Sequence, residues 1–204
     1  MPAPRRIRGF TLIEMMVAVT VVIVLLLIAV PSFQTMRQRS AIRSASEQVL
    51  GVWNQSRIES AKRNTWVKFA RQTSGTNYCV GAAVATSITD TTACNCFQAD
   101  STQTDFCNVT HWPHSNSATD QAEWRGVSLA APTSATSLGT VLIEPKHAFL
   151  ATGSTPGGMA FIGPPGPNQY KVYLQIDALG RGVLCQPTNA VHKLSDYGNR
   201  GCAP

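Results

Sequence analysis

Six cysteines, at positions 79, 94, 96, 107, 185 and 202, are the residues with the most chemistry to offer. Cys94-Asn95-Cys96 and Cys107 lie close in sequence to His111 and His114. Thiolates and imidazoles are zinc ligands, but Cys-x-Cys is not the Cys-x₂₋₄-Cys spacing of common zinc sites. An even cysteine count in an exported domain favours disulfides instead, and six cysteines allow 15 pairings. Cys94, Cys96 and Cys107 are therefore expected to form disulfides with Cys79, in an order the sequence leaves open. Cys185 and Cys202 are expected to pair with each other and pin the C-terminal tail. No metal and no cofactor is expected. The histidines are scattered, and neither Gly-x-Ser-x-Gly nor His-Glu-x-x-His occurs, so nothing points to an enzyme. Arg181, Lys171, Lys193 and Arg200 could form a small basic face that touches phosphates without reading bases.

A carboxylate raises a different question. Glu14 is the only charged residue between Phe10 and Val30, in a run long enough to cross a bilayer as a helix. The apolar run exceeds the roughly 7–15 residues of a signal peptide, and no small-x-small cleavage site follows it, so the helix is expected to be retained. A charge at that depth costs about 2.5–3.5 kcal/mol on insertion scales, which makes Glu14 a candidate for a paired, functional group.

The net charge of +6 is unevenly spread over the 204 residues. Arg5, Arg6 and Arg8 precede the apolar run and favour a cytoplasmic N-terminus, although Arg37, Arg39 and Arg43 flank its other side. Eight basic residues fall between Arg37 and Arg71, whereas none occurs from Gln72 to Trp124. A uniformly basic nucleic-acid binder is excluded, and only a local basic patch remains open.

These groups need elements to carry them. Ile42, Ala45, Val49, Val52 and Trp53 recur at helical spacing, so the helix is expected to continue past a kink at Pro31 as an amphipathic stretch. After Asn64 the period changes. Strand-like runs follow at Trp66–Arg71, Tyr78–Val84, Gly126–Ala130, Thr140–Ile143, Met159–Ile162 and Tyr170–Asp177. Thr155-Pro156-Gly157-Gly158 and Gly163-Pro164-Pro165-Gly166-Pro167-Asn168 read as turns. A long polar segment, 86–122, carries three cysteines and reads as a cross-linked loop or a partly disordered one. The divisions expected are 1–9, a leader; 10–30, a membrane helix; 31–64, its amphipathic continuation; and 65–204, a β domain. The fold class is α+β, a long N-terminal helix packed on an antiparallel β domain.

Gly9-Phe10-Thr11-Leu12-Ile13-Glu14, behind a short basic leader, closely resembles the prepilin processing motif of type IV pilins and type II secretion pseudopilins. Pro31 falls where that family bends its helix. The resemblance implies the type IV pilin-like fold and a prepilin peptidase that cuts after Gly9 and methylates Phe10. It also implies a Glu14 that meets the N-terminal amine of a neighbouring subunit. A second likeness narrows the family. Arg57–Val67 resembles the helix end and first strand of the minor pilins FimU and FimT and of the pseudopilin GspH. Val172–Arg181 resembles their C-terminal strand pair with its Gly-Arg turn. This implies a minor pilin at or near the pilus tip, in the bacterial inner membrane before assembly and on the cell surface after it. Its partners would be major and minor pilins, prepilin peptidase and the inner membrane. A FimT-like pilin that captures DNA weakly and nonspecifically, and a GspH-type pseudopilin, are the alternatives. Here Gly180-Arg181-Gly182-Val183 lacks the second arginine of the Gly-Arg-x-Arg motif of DNA-capturing pilins.

Overall fold

Helix α1 runs from Leu12 to Arg63 without a break at Pro31, in a computed structural model that describes residues 10–131, 138–151, 154–166, 168–188, 190–197 and 202. The chain divides into a unit ending at Arg37 and a second, Gln38–Pro204, that holds both sheets. In the second unit α1 buries Gln38, Ala41, Ile42, Ala45, Ser46, Val49, Val52, Trp53, Ser56, Glu59 and Ser60. These fall at steps of three and four residues and form one stripe facing the core. Full burial of each large apolar member stabilises the fold by about 1.5–3 kcal/mol.

The helix ends through its backbone. Asn64 adopts a left-handed φ of 50°, its N–H bonds to Ala61 O, and the N–H of Thr65 bonds to Ser60 O. This pair of bonds is a Schellman ending, with asparagine in the position usually held by glycine. Lys62 and Arg63 in the last turn complement the negative end of the helix dipole.

Among the described residues eight strands follow, all paired antiparallel. They are β1 Val67–Ser74, β2 Asn77–Val84, β3 Thr110–Trp112, β4 Ser128–Ala130, β5 Val141–Ile143, β6 Gly157–Ile162, β7 Lys171–Ile176 and β8 Gly182–Cys185. One sheet has the order β3-β2-β1-β5 and the other β4-β6-β7-β8. Trp53 lies at the centre of the core, edge-on to Phe69 with ring centroids 5.2 Å apart. Val49, Ile143, Met159, Phe161, Val172 and Leu174 belong to the same buried cluster. This is the α+β architecture of the type IV pilin-like fold, as expected: a long helix, apolar at its N-terminal end, packed on antiparallel sheet.

One local reading is corrected. Gly157 and Gly158 open β6 and pair with Ile176 and Gln175, rather than making a turn. A Cβ on Gly158 would sit 2.6 Å from Leu174 O, so the missing side chain lets the two backbones approach. The segment 86–122 is cross-linked through Cys94, Cys96 and Cys107, one of the two forms expected of it, and is partly regular as well. It contains β3, the helical turn α2 (Ala118–Gln121) and the start of a 3₁₀ turn over Ala122–Trp124. Trp124 fixes that end by donating from Nε1 to Tyr78 O at 2.8 Å and packing on Trp112 at 4.2 Å.

Candidate functional site

The N-terminal segment is built to start a helix. Thr11 Oγ1 accepts from the backbone N–H of Glu14 at 3.3 Å, and Glu14 lies in the first turn of α1. Thr-x-x-Glu before an apolar run is the spacing of a capping box, and a carboxylate in the first turn is favoured by the helix dipole. Glu14 therefore has a local structural role as well as the assembly role expected of it. The reading by resemblance passed over Thr11, although its spacing from Glu14 was open to view.

Between Leu12 and Val30, α1 has no buried residue against the rest of the described chain. Phe10 is 79% exposed, and the large apolar side chains from Leu12 to Val30 are exposed all round. This part of α1 is long and apolar enough to cross a membrane, and none of it is buried among the described residues. A helix apolar on every face suits lipid or a helical bundle. Thr20 satisfies its hydroxyl internally, donating to Val17 O at 2.8 Å. Gly9 and the rest of 1–9 lie outside the described residues, as does Arg200.

The cysteines form three disulfides: Cys79–Cys96, Cys94–Cys107 and Cys185–Cys202. The first two cross, because Cys79 passes over Cys94 to reach Cys96, while Cys94 pairs onward with Cys107. Gly81 lies beneath them; a Cβ there would meet Cys107 Sγ at 2.6 Å. With these thiols oxidised, His111 and His114 remain of the considered metal ligands, their rings 5.5 Å apart. Burial pushes the pKa of His111 down. Among the described residues, no group of three or more His, Cys, Asp or Glu is placed to hold a metal ion.

The Gly-Arg turn joins β7 to β8 and docks on α1. Gly180, at a φ of +71°, donates its N–H to Asp177 O at 2.9 Å. Its carbonyl accepts from the buried Trp53 Nε1 at 3.0 Å. Arg181 folds back on Asp177, donating from its backbone N–H at 2.8 Å and from Nε at 2.7 Å. Burial raises the pKa of Asp177, but these bonds from Arg181 outweigh it, and the carboxyl titrates below the usual aspartate value.

Of the basic face expected of Arg181, Lys171, Lys193 and Arg200, the three described residues lie toward two ends of the β7–β8 pair, and Arg200 lies outside the described residues. Lys171 starts β7 and Arg181 follows its far end, five residues on, or about 17 Å along a strand. Lys193 sits with Lys171: Gln186 Nε2 donates to Lys171 O at 3.1 Å, while its Oε1 accepts from the N–H of Leu194 at 2.8 Å.

The pinned C-terminal tail was expected from Cys185 and Cys202, but the contacts that strap it to α1 were not. After β8 the chain returns to α1, where Leu194 and Tyr197 are buried. Tyr197 donates its hydroxyl to Glu47 Oε1 at 3.2 Å, and Asp196 pairs with Arg43. Leu194 and Tyr197, as apolar residues in a polar tail, were a signal for those contacts.

Residues 4–30 match the family of the prokaryotic N-terminal methylation motif. No curated protein and no solved structure matches the chain significantly. The chain thus carries a prepilin-like N-terminal methylation motif, consistent with the type IV pilin and pseudopilin superfamily.

Proposed function

We propose that this chain is a minor pilin of the FimU/FimT kind, made as a prepilin, cut after Gly9, and incorporated at or near the pilus tip to assist assembly. One combination carries the reading. A prepilin-type motif runs into a single helix that leaves its first half apolar and exposed and builds its second half into a β domain. The first half anchors the subunit in the inner membrane and then packs among neighbouring pilin helices. Major and minor pilins and prepilin peptidase are its partners.

The mechanism is assembly. Cutting after Gly9 leaves an ammonium on Phe10, about one helical turn from Glu14. A lone carboxylate in lipid is penalised by about 2.5–3.5 kcal/mol. Pairing Glu14 with the Phe10 ammonium of a neighbouring subunit removes two charges from the apolar phase and sets the axial register. Mass spectrometry of the cellular protein should find an N-methylated Phe10 at the mature terminus, and sheared pili should contain the chain. Glu14→Ala should be cut and methylated normally yet reach the pili several-fold less. Equal incorporation would sink the register role. Presence in a secretion pseudopilus but not in pili would move the chain to the GspH-like reading.

A further inference from the structure

A polar cleft of about 370 Å³ opens beside the crossed disulfides, lined by Gln72, Thr73, Ser74, Asn95, Phe97 and Asp105. None of the functions considered above uses it. Its size suits a small ligand.

Its chemistry is selective. No lysine or arginine occurs from Gln72 to Trp124, so the segments that line the cleft bring no cation to hold a phosphate, sulfate or other anion. What they bring instead are two amides, two hydroxyls, one carboxylate and one aromatic ring. Gln72 Oε1 accepts from the N–H of Cys96 at 3.3 Å, which fixes the amide. Asn95 donates from Nδ2 to Asp105 Oδ2 at 3.1 Å and accepts the N–H of Phe97 on Oδ1 at 3.1 Å. The second Asp105 oxygen and the Gln72 amino group keep hydrogen-bonding capacity to spare. Phe97 packs on the buried disulfide cluster and is only partly covered.

The frame is rigid before any ligand arrives. Cys96 ties the cleft's wall to β2 through Cys79, and Cys94 ties the same turn to Cys107. The N–H of Asn95 bonds to Asp105 O at 2.7 Å, which ties two of the lining residues together. A ligand would therefore bear little of the loop-ordering penalty that usually weakens binding at a long polar loop.

We propose that this cleft binds a neutral saccharide. Fixed amides and a carboxylate suit vicinal hydroxyls, an aromatic ring suits the apolar C–H face of a sugar ring, and the lack of cations disfavours acidic sugars. The site is independent of the pilin reading and stands or falls without it.

The test uses the full chain in micelles of a detergent without a sugar headgroup. Saturation-transfer NMR is run with lactose, chitobiose and mannobiose as probes, beside Asp105→Asn and Phe97→Leu. Asp105→Asn keeps the shape but removes the charge, and Phe97→Leu keeps apolar packing but removes the ring. At least one probe should receive saturation from the wild type. Affinity should fall roughly tenfold in Asp105→Asn, the worth of one charge-assisted hydrogen bond, with thermal unfolding unchanged. The signal should also fall in Phe97→Leu. No transfer from any probe to wild type, or transfer that Asp105→Asn leaves intact, would overturn the proposal.

Discussion

Lys68 and Asp90 meet where β1 passes the start of the stapled loop, and both side chains are largely buried, at 12% and 9% exposed. Lys68 Nζ donates to Asp90 Oδ2 at 2.9 Å, the Thr86 N–H donates to the same oxygen at 3.0 Å, and the Thr92 N–H donates to Oδ1 at 3.1 Å. The Lys68 bond first, then those from Thr86, hold the Asp90 carboxyl well below the usual aspartate range. A depressed folded pKa means that the pair's contribution is complete above the unfolded value of about 3.9 and is lost as pH falls toward the folded value. Asp90→Asn should therefore melt below wild type at neutral pH, with a gap that narrows steadily from about pH 4 downward. Thermal melts followed by circular dichroism measure it; a gap that stays constant with pH would show that Asp90 acts as a neutral hydrogen-bond acceptor only. Neither partner was legible as part of a pair, because the two lie 22 positions apart and only the folding of 86–92 onto β1 joins them.

At the scale of elements, the C-terminal strap shows how far pattern reading reaches. Helix α1 was legible because its buried residues recur at a fixed period, and Ile42, Val49 and Trp53 all face the core as that period requires. Strands β2 and β7 were legible as short apolar runs bounded by turn residues, although their burial is continuous and has no period of two. β3 was not, since three residues in a polar, cysteine-rich segment give no period to read. The strap depends on contacts with no local signature: Asp196 on Arg43, Tyr197 on Glu47, and Leu194 on Gln186. Its one sequence clue with a mechanism is the Cys185–Cys202 bridge, which spans a sequence separation of 17. By the chain-entropy argument a loop of this size contributes about 3 kcal/mol. Cys202→Ser should lose about that much stability to denaturant. Lys193, exposed in the strap, should then become a trypsin site, because local opening near the tail becomes easier. A variant that keeps both wild-type stability and trypsin resistance would show that the contacts with Arg43 and Glu47 hold the strap without the bridge.

Across the whole molecule, charge is segregated rather than uniform, and this bears on what the surface can hold. A DNA-capturing role needs several phosphate contacts that act together, since each neutralised phosphate adds about 0.9 to the dependence of log affinity on log salt. Arg181 spends its backbone N–H and Nε on Asp177, and Lys171 and Lys193 lie toward the other end of the β7–β8 pair. The Gly-Arg turn offers one arginine, with Val183 two residues on exposed and paired across to Gln175. The turn's other partners are internal: Trp53 holds Gly180 O, and Arg57 Nε donates to Ala148 O beside it at 3.0 Å. Its geometry therefore serves the joint between α1 and the second sheet. Gel shifts of the full chain with duplex DNA over a salt series should give a slope shallower than about −2, unchanged in Arg181→Gln. A steeper slope that drops by about one unit in Arg181→Gln would mean that Arg181 leaves Asp177 for a phosphate, and DNA capture would then replace the structural reading of this turn.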